Sequence, residues 1–296
     1  MMIKETKPQK IFKVFNYIFL TLFGIATFYP FWYVLVASFN SGRDFVKGGV
    51  YFFPREFTLQ NYSMAFKDPK IFDSLGISVG RTLFGVVLGL IFTALLAYAL
   101  SVKTLPGKTL FTFIFYFTTI FSGGMIPYYM VLRDLGLTRS FWLYVFPFIF
   151  NFFNFVLLRT NFQTFPSELR EAAQLDGAGD LRILFQIYLP LSMPILATLA
   201  LFIGVGHWND WFTGAYYQGN MDLIPAATLL QRLLKEASSS SSLKVGQEVG
   251  SIGMKQYTSQ SLQMAFVMIL TMPIVIVYPF LQKYYVKGVM VGSVKG

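Results

Sequence analysis

Six mainly apolar runs, each close to the length needed to cross a lipid bilayer, constrain this chain more than any other feature: residues 15–37, 78–100, 110–132, 141–158, 189–208 and 262–284. About 20 apolar residues in a helix match the hydrocarbon thickness of a bilayer. In lipid every backbone N–H and C=O must find an internal partner, so such runs are read as helices. The expected fold is therefore all-α, a polytopic membrane protein of six transmembrane helices. Composition agrees, because only 13% of the residues are charged, against about 25% in a soluble domain. The 34 Phe are spread along the chain rather than gathered in one patch. No small-residue cleavage site follows the first run, and Pro30-Phe31-Trp32-Tyr33 closes it as an interfacial belt, so it reads as a retained span. Pro30, Pro127, Pro147, Pro194, Pro273 and Pro279 fall in or beside these runs. Neighbouring helices in a membrane bundle can satisfy the carbonyls that proline frees.

Charge sets the expected orientation. Lys4, Lys7, Lys10 and Lys13 precede the first run, and Lys103 and Lys108 separate the second and third. Arg159, Arg170 and Arg182 separate the fourth and fifth, and Lys283, Lys287 and Lys295 close the chain. By the positive-inside rule these segments are cytoplasmic, with both termini inside. The chain then divides into a cytoplasmic segment 1–14 and a six-span domain 15–296, with a cytoplasmic loop at 159–188. Two long segments, 40–73 and 210–259, face outward. The second is expected to hold a short amphipathic helix (226–237), a flexible serine run (238–242) and an irregular stretch around Gly246, Gly250 and Gly253.

Several function classes are excluded or weakened. The chain has no cysteine, which removes disulfides and thiolate chemistry. His207 is the only histidine, and alone it supplies neither a metal site nor the clustered acid–base groups of a membrane enzyme. The net charge of +10 sits in topology-setting segments rather than in a nucleic-acid-binding patch. Pro106-Gly107-Lys108-Thr109 contains a Gly-Lys-Thr, but Val102 stands where a phosphate loop needs its first glycine. No catalytic residue, metal site or nucleotide site is expected in this chain.

The cytoplasmic loop carries a more specific pattern. Pro166 and Ser167 suit a helix start, and Glu168 and Glu171 complement its dipole. Gly177 suits the left-handed position that ends it, and Asp180 suits the cap of a second helix running to Pro190. Leu169, Ala172, Ala173 and Asp176 share one face of the first helix. A helix of about ten residues is marginal alone. It either rests on its own bundle or docks into a groove of another protein.

Glu171-Ala-Ala-Gln-Leu-Asp-Gly-Ala-Gly179, followed by Phe185, Ile187, Leu189-Pro190 and Pro194, resembles the EAA loop of binding-protein-dependent importer permeases. Pro54, Phe57-Thr58, Asn61-Tyr62, Gly124, Pro127, Leu135-Gly-Leu137 and Trp208-Asn-Asp210 extend the likeness. Gln282, Tyr284, Lys287-Gly288, Gly292 and Val294-Lys-Gly296 resemble the end of the maltose-type second permease of carbohydrate ABC transporters, in the branch for complex oligosaccharides. The resemblance implies a non-catalytic translocase subunit in the bacterial cell membrane. It implies a second permease subunit, two cytosolic ATPase subunits that bind ATP and Mg, and an extracytoplasmic sugar-binding protein. It also implies that Glu171, Ala172, Ala173, Asp176, Gly177 and Ala178 transmit ATP hydrolysis to transport of an oligosaccharide.

The sugar path is less sharply marked. Asn151 and Asn154 lie three apart in the fourth run, and polar side chains at that depth face the bundle interior. They line the path or only bond neighbouring helices. Tyr128, Trp208, Asn209 and Asp210 combine ring faces with hydrogen-bonding groups suited to sugars, while aromatic residues at span ends also serve as interfacial anchors. Arg81 is expected to snorkel to the interface. Two alternatives stay open: the same machinery carrying a non-sugar solute, and an ion-coupled secondary transporter. The second would need membrane carboxylates, and no run has one at its middle.

Overall fold

A computed structural model describes residues 6–67, 69–102, 104–243 and 258–293. Helix dominates the described residues, and the single β-bridge among them joins Asn40 to Phe57. The chain divides into two compact units, one of residues 1–68 and 233–271, the other of residues 69–232 and 272–296.

In the first unit, helix α1 (Lys7–Ser38) begins where the Gln9 side chain accepts from the Thr6 amide at 2.8 Å. It therefore takes in most of the segment before the first apolar run and passes Pro30 without a break. The segment after it is ordered by buried amides. Asn61 Nδ2 donates to the carbonyls of Ser38 and Asn40, each at 2.9 Å, and its Oδ1 accepts from Ser261 Oγ at 2.9 Å. Asn40 Oδ1 accepts from the backbone amides of Arg55 and Glu56, and its Nδ2 donates to Asp44. Asp44 also accepts from Arg55 Nε at 2.9 Å. The Asn40 amide and the Arg55 guanidinium hold its carboxyl below the ordinary carboxylate range. Short helices at Gly42–Val46 and Gln60–Ala65 complete this platform.

In the second unit, helix α2 (Pro69–Ser101) turns Ser78, Arg81, Gly85, Gly89, Thr93 and Ala97 inward. Leu83, Phe84, Val87 and Ile91 stay exposed on it. Small and polar residues inside with large apolar residues outside is the arrangement of a helix whose outer face meets lipid. Phe155, Leu158, Phe162, Ile183, Leu184 and Leu199 pack against Ala94, Ala97 and Tyr98 to form the main core.

The six sequence runs take two forms. Three helices, Lys7–Ser38, Pro69–Ser101 and Gln260–Val277, are long and apolar enough to cross a membrane unbroken. The other three runs are bent pairs rather than single rods, and the described residues hold up to six spans when each bent pair is taken as one. Helix α3 (Lys108–Ile120) and helix α4 (Met125–Asp134) meet at 117°, because Gly124 takes φ +86° at the break. The fourth run opens as 3-10 turns (Phe141–Tyr144, Phe146–Phe148) before helix α5 (Phe152–Gln163), with a 48° bend. Segment Asp180–Leu191 bends by 87° at Ser192 into the segment Met193–Tyr216. Buried Ser192 donates there to Asn161 Oδ1 at 2.7 Å.

Between the fourth and fifth runs lie helix α6 (Ser167–Leu175) and helix α7 (Asp180–Ile183), the latter opening the segment that leads into the fifth run. Helix α8 (Met193–Asn209) is the main part of the fifth. Helix α9 (Ala226–Leu243) continues through the five serines at 238–242, so that run is helical rather than a flexible linker. Helix α10 (Ser259–Ser293) closes the described chain. Gly246, Gly250, Gly253 and residues 294–296 lie outside the described residues.

Candidate functional site

Helix α6 is shaped by its C-terminal stop. Gly177 takes φ +78°, its amide donates to the Gln174 carbonyl at 3.0 Å, and the Ala178 amide donates to the Ala173 carbonyl at 2.9 Å. This pair of bonds is the Schellman motif, and it requires the left-handed residue that the sequence supplies as glycine. No atom lies within 4 Å of a Cβ built on Gly177, so backbone conformation alone demands glycine there.

The faces of α6 divide cleanly. Ala173 and, beyond the turn, Ala178 pack against the main core. Glu171, Ala172, Asp176 and Gly177 are exposed, and Leu175 is 90% exposed. The helix thus rests on its own bundle along one edge and leaves the opposite side open, so the two readings of the sequence are not exclusive.

Asp180 does not cap α7, contrary to expectation: Gly179 occupies the cap position and no side chain caps the helix. The Asp180 carboxylate is engaged elsewhere. Its Oδ1 accepts from Tyr98 Oη at 2.9 Å and from Arg170 Nη2 at 3.0 Å. Arg170 and then Tyr98 hold this carboxyl below its ordinary range. The three residues belong to α7, α2 and α6. Chain continuity into α8 passes through a π-helical turn at Leu184–Tyr188, a distortion often found at functional sites.

A second polar constellation lies further along α2. Asn151, Asn154 and Asp210 line one cleft of about 320 Å³ with Arg81, His207, Phe148, Phe202, Ile203 and Gly206. Asn151 is the N-cap of α5, its Oδ1 accepting from the Asn154 amide at 3.1 Å. It therefore precedes the helix instead of sharing a helical face with Asn154. Arg81 does not snorkel. It is 1% exposed, with Nη2 on Asp210 Oδ2 at 2.6 Å, Nη1 on the Asp210 carbonyl at 2.9 Å, and its guanidinium 4.5 Å from the Tyr144 ring centroid. Snorkelling is unnecessary when a carboxylate and a ring face meet the cation inside the bundle.

Tyr128, Trp208 and Asn209 do not line the cleft. Tyr128 instead packs edge-on to Tyr217, with centroids 5.3 Å apart. Two contributors escaped the sequence reading. His207 sits where a Cβ on Gly85 would come 2.2 Å from its Nε2, so that glycine lets the ring reach the α2 backbone. Gly85 and Gly89, four apart in an apolar run, were the signal for this close helix approach.

Comparison with known proteins shows the family. The family described as binding-protein-dependent transport system inner membrane component matches residues 74–291. Protein LplC of Bacillus subtilis (strain 168) is 36% identical over 292 residues, covering 99% of this chain and 97% of that protein. The polygalacturonan/rhamnogalacturonan transport system permease protein YtcP of the same organism is 37% identical over 288 residues, covering 97% and 99%. A chain in the crystal structure of a bacterial ABC transporter involved in the import of the acidic polysaccharide alginate is 32% identical, with a TM-score of 0.87 and coverage of 96% and 100%. The chain belongs to the family of inner-membrane components of binding-protein-dependent transport systems, as a non-catalytic permease subunit.

Proposed function

We propose that this chain is one of two permease subunits of an ATP-driven importer that moves an oligosaccharide across a bacterial cell membrane. It is multi-pass with both termini cytoplasmic. An extracytoplasmic binding protein delivers the sugar, and two cytosolic ATPase subunits drive transport through helix α6. The observation that carries the cargo is the near full-length likeness, above 30% identity, to a polygalacturonan/rhamnogalacturonan permease and to a chain of an alginate importer.

The geometry of α6 supports its role. Glu171, Ala172, Asp176 and Gly177 present a small, open surface, while Ala173 and Ala178 seat the helix on the bundle. A short helix of this kind fits a groove in a partner, the mode by which amphipathic helices are captured. Asn151, Asn154 and Asp210 are the path residues that one cleft unites, and amides and a carboxylate beside Phe rings suit sugar hydroxyls. Arg81 is held there by its ion pair with Asp210. Tyr128, Trp208 and Asn209 remain path candidates outside that cleft.

The test is to purify the complex with its binding protein, identify the retained sugar, and measure ATP hydrolysis with and without the loaded protein. Stimulation by the loaded form is expected. Hydrolysis indifferent to any loaded binding protein contradicts the importer reading.

A further inference from the structure

Helix α6 has nine residues and few inward contacts, so packing alone gives it a weak grip on the bundle it is proposed to drive. A stronger grip is present. The Asp180 carboxylate joins Arg170 of α6, at 3.0 Å, to the hydroxyl of Tyr98 on α2, at 2.9 Å. Tyr98 is buried and its ring is fixed edge-on against Tyr188, with centroids 5.0 Å apart. Tyr188 is held in turn by Phe162 and Phe165, each edge-on at 5.3 Å. A load applied to α6 therefore reaches a locked side chain on α2 through two charge-assisted hydrogen bonds, which are roughly twice as strong as neutral ones.

What lies beyond Tyr98 makes this contact more than local. Helix α2 is continuous from Pro69 to Ser101. At 1.5 Å per residue, Arg81 lies about 26 Å along it from Tyr98. There Arg81 grips Asp210 at the end of α8, beside the polar cleft. One unbroken rod thus has the α6 clasp near one end and meets the cleft about 26 Å along its length from that clasp.

We infer that Tyr98 is a positioning residue for transport: its hydroxyl, with Asp180 and Arg170, clasps α6 to α2 so that the two move as one body. The inference rests on the proposed coupling role of α6. Tyr98 touches neither sugar nor nucleotide, and it acts by making displacement of α6 a displacement of the rod that reaches the cleft.

The chain has no cysteine, so engineered thiols label it selectively. Spin labels are placed at the exposed positions Leu175 and Leu83 (Leu175→Cys, Leu83→Cys). The labelled chain is assembled with cysteine-free partner subunits, and the interlabel distance is measured without nucleotide and after trapping with ATP and vanadate. In the native background the distance is expected to be the same in both states. Tyr98→Phe should lose that invariance, with a shift or broadening on trapping. Tyr188→Phe, which removes a neighbouring hydroxyl that takes no part in the clasp, should keep it. If Tyr98→Phe fails to assemble, Asp180→Asn removes the charge and should produce the same shift. An invariant distance in whichever variant assembles overturns the clasp, as does a native distance that changes on trapping. Failure of the coupling role is separately visible, because the Leu175 label must then stay mobile when the ATPase subunits are added. A label immobilised by the ATPase together with an invariant Tyr98→Phe distance removes the clasp alone.

Discussion

Inside the body of helix α2 the Arg81 guanidinium is 1% exposed and its partner Asp210 is 21% exposed. Near the C-terminal end of the helix, the Arg170–Asp180 pair that Tyr98 joins is 25% and 60% exposed. The same chemistry is thus placed in two environments. Burial strips water from the first pair, so neither charge can be left alone without a large penalty. Solvent reaches the second, where an ion pair is worth about 0–1 kcal/mol. The buried pair is suited to hold two long helices in one arrangement, and the exposed one, reinforced by the buried Tyr98 hydroxyl, to tie a short helix to α2 where a partner can still reach it.

The largest effect is expected at the buried pair, and it should be asymmetric. Asp210→Ala leaves the guanidinium charged in the bundle interior, which costs about 3–5 kcal/mol when a buried pair loses one member. Arg81→Met leaves the more exposed carboxylate and should cost less. Thermal unfolding of the purified complex orders the two, and equal losses would break the contrast drawn from burial. Next comes Gly85→Ala, whose methyl would meet the His207 ring at 2.2 Å. Overpacking of this kind costs about 1–3 kcal/mol, so the same assay should show a smaller loss. An unchanged melting temperature would mean that the ring moves aside freely.

The smallest effect is expected at the exposed clasp, and pH reads it. Arg170 and Tyr98 depress the Asp180 pKa below its ordinary 3.8. A depressed carboxyl contributes where it is ionised, above its ordinary value, and that contribution disappears as pH falls through the depressed one. The distance between labels at Leu175 and Leu83 should therefore stay unchanged from neutral pH down to about 5, where an ordinary Asp is still ionised. It should broaden only at lower pH. Broadening near neutrality would show that another group holds α6.

Local features were the ones legible in the sequence. The apolar runs gave the helices, and Gly177 revealed the stop of α6 because a left-handed residue is a property of a few adjacent positions. What escaped depended on partners far apart in the chain. Arg81 and Asp210 are 129 residues apart, so no spacing rule links them, and an isolated Arg reads as a snorkelling one. Asp180 looked like a cap because aspartate beside a glycine turn usually is one, yet Tyr98 and Arg170 compete for the same carboxylate. The bend at Gly124 was marked by Ser122-Gly123-Gly124, but an apolar run on both sides hid the break. The serines at 238–242 are helical, and composition alone does not decide such a stretch because serine has a middling helix propensity.

The central claim, that α6 drives the bundle, is tested most directly at Gly177 in the reconstituted complex with its binding protein. The quantity is ATP hydrolysed per sugar transported. Valine at φ +78° is strained although the site has open space, whereas asparagine tolerates that region. Gly177→Val should raise the ratio several-fold while Gly177→Asn stays near the native value. A native ratio in Gly177→Val would contradict the account.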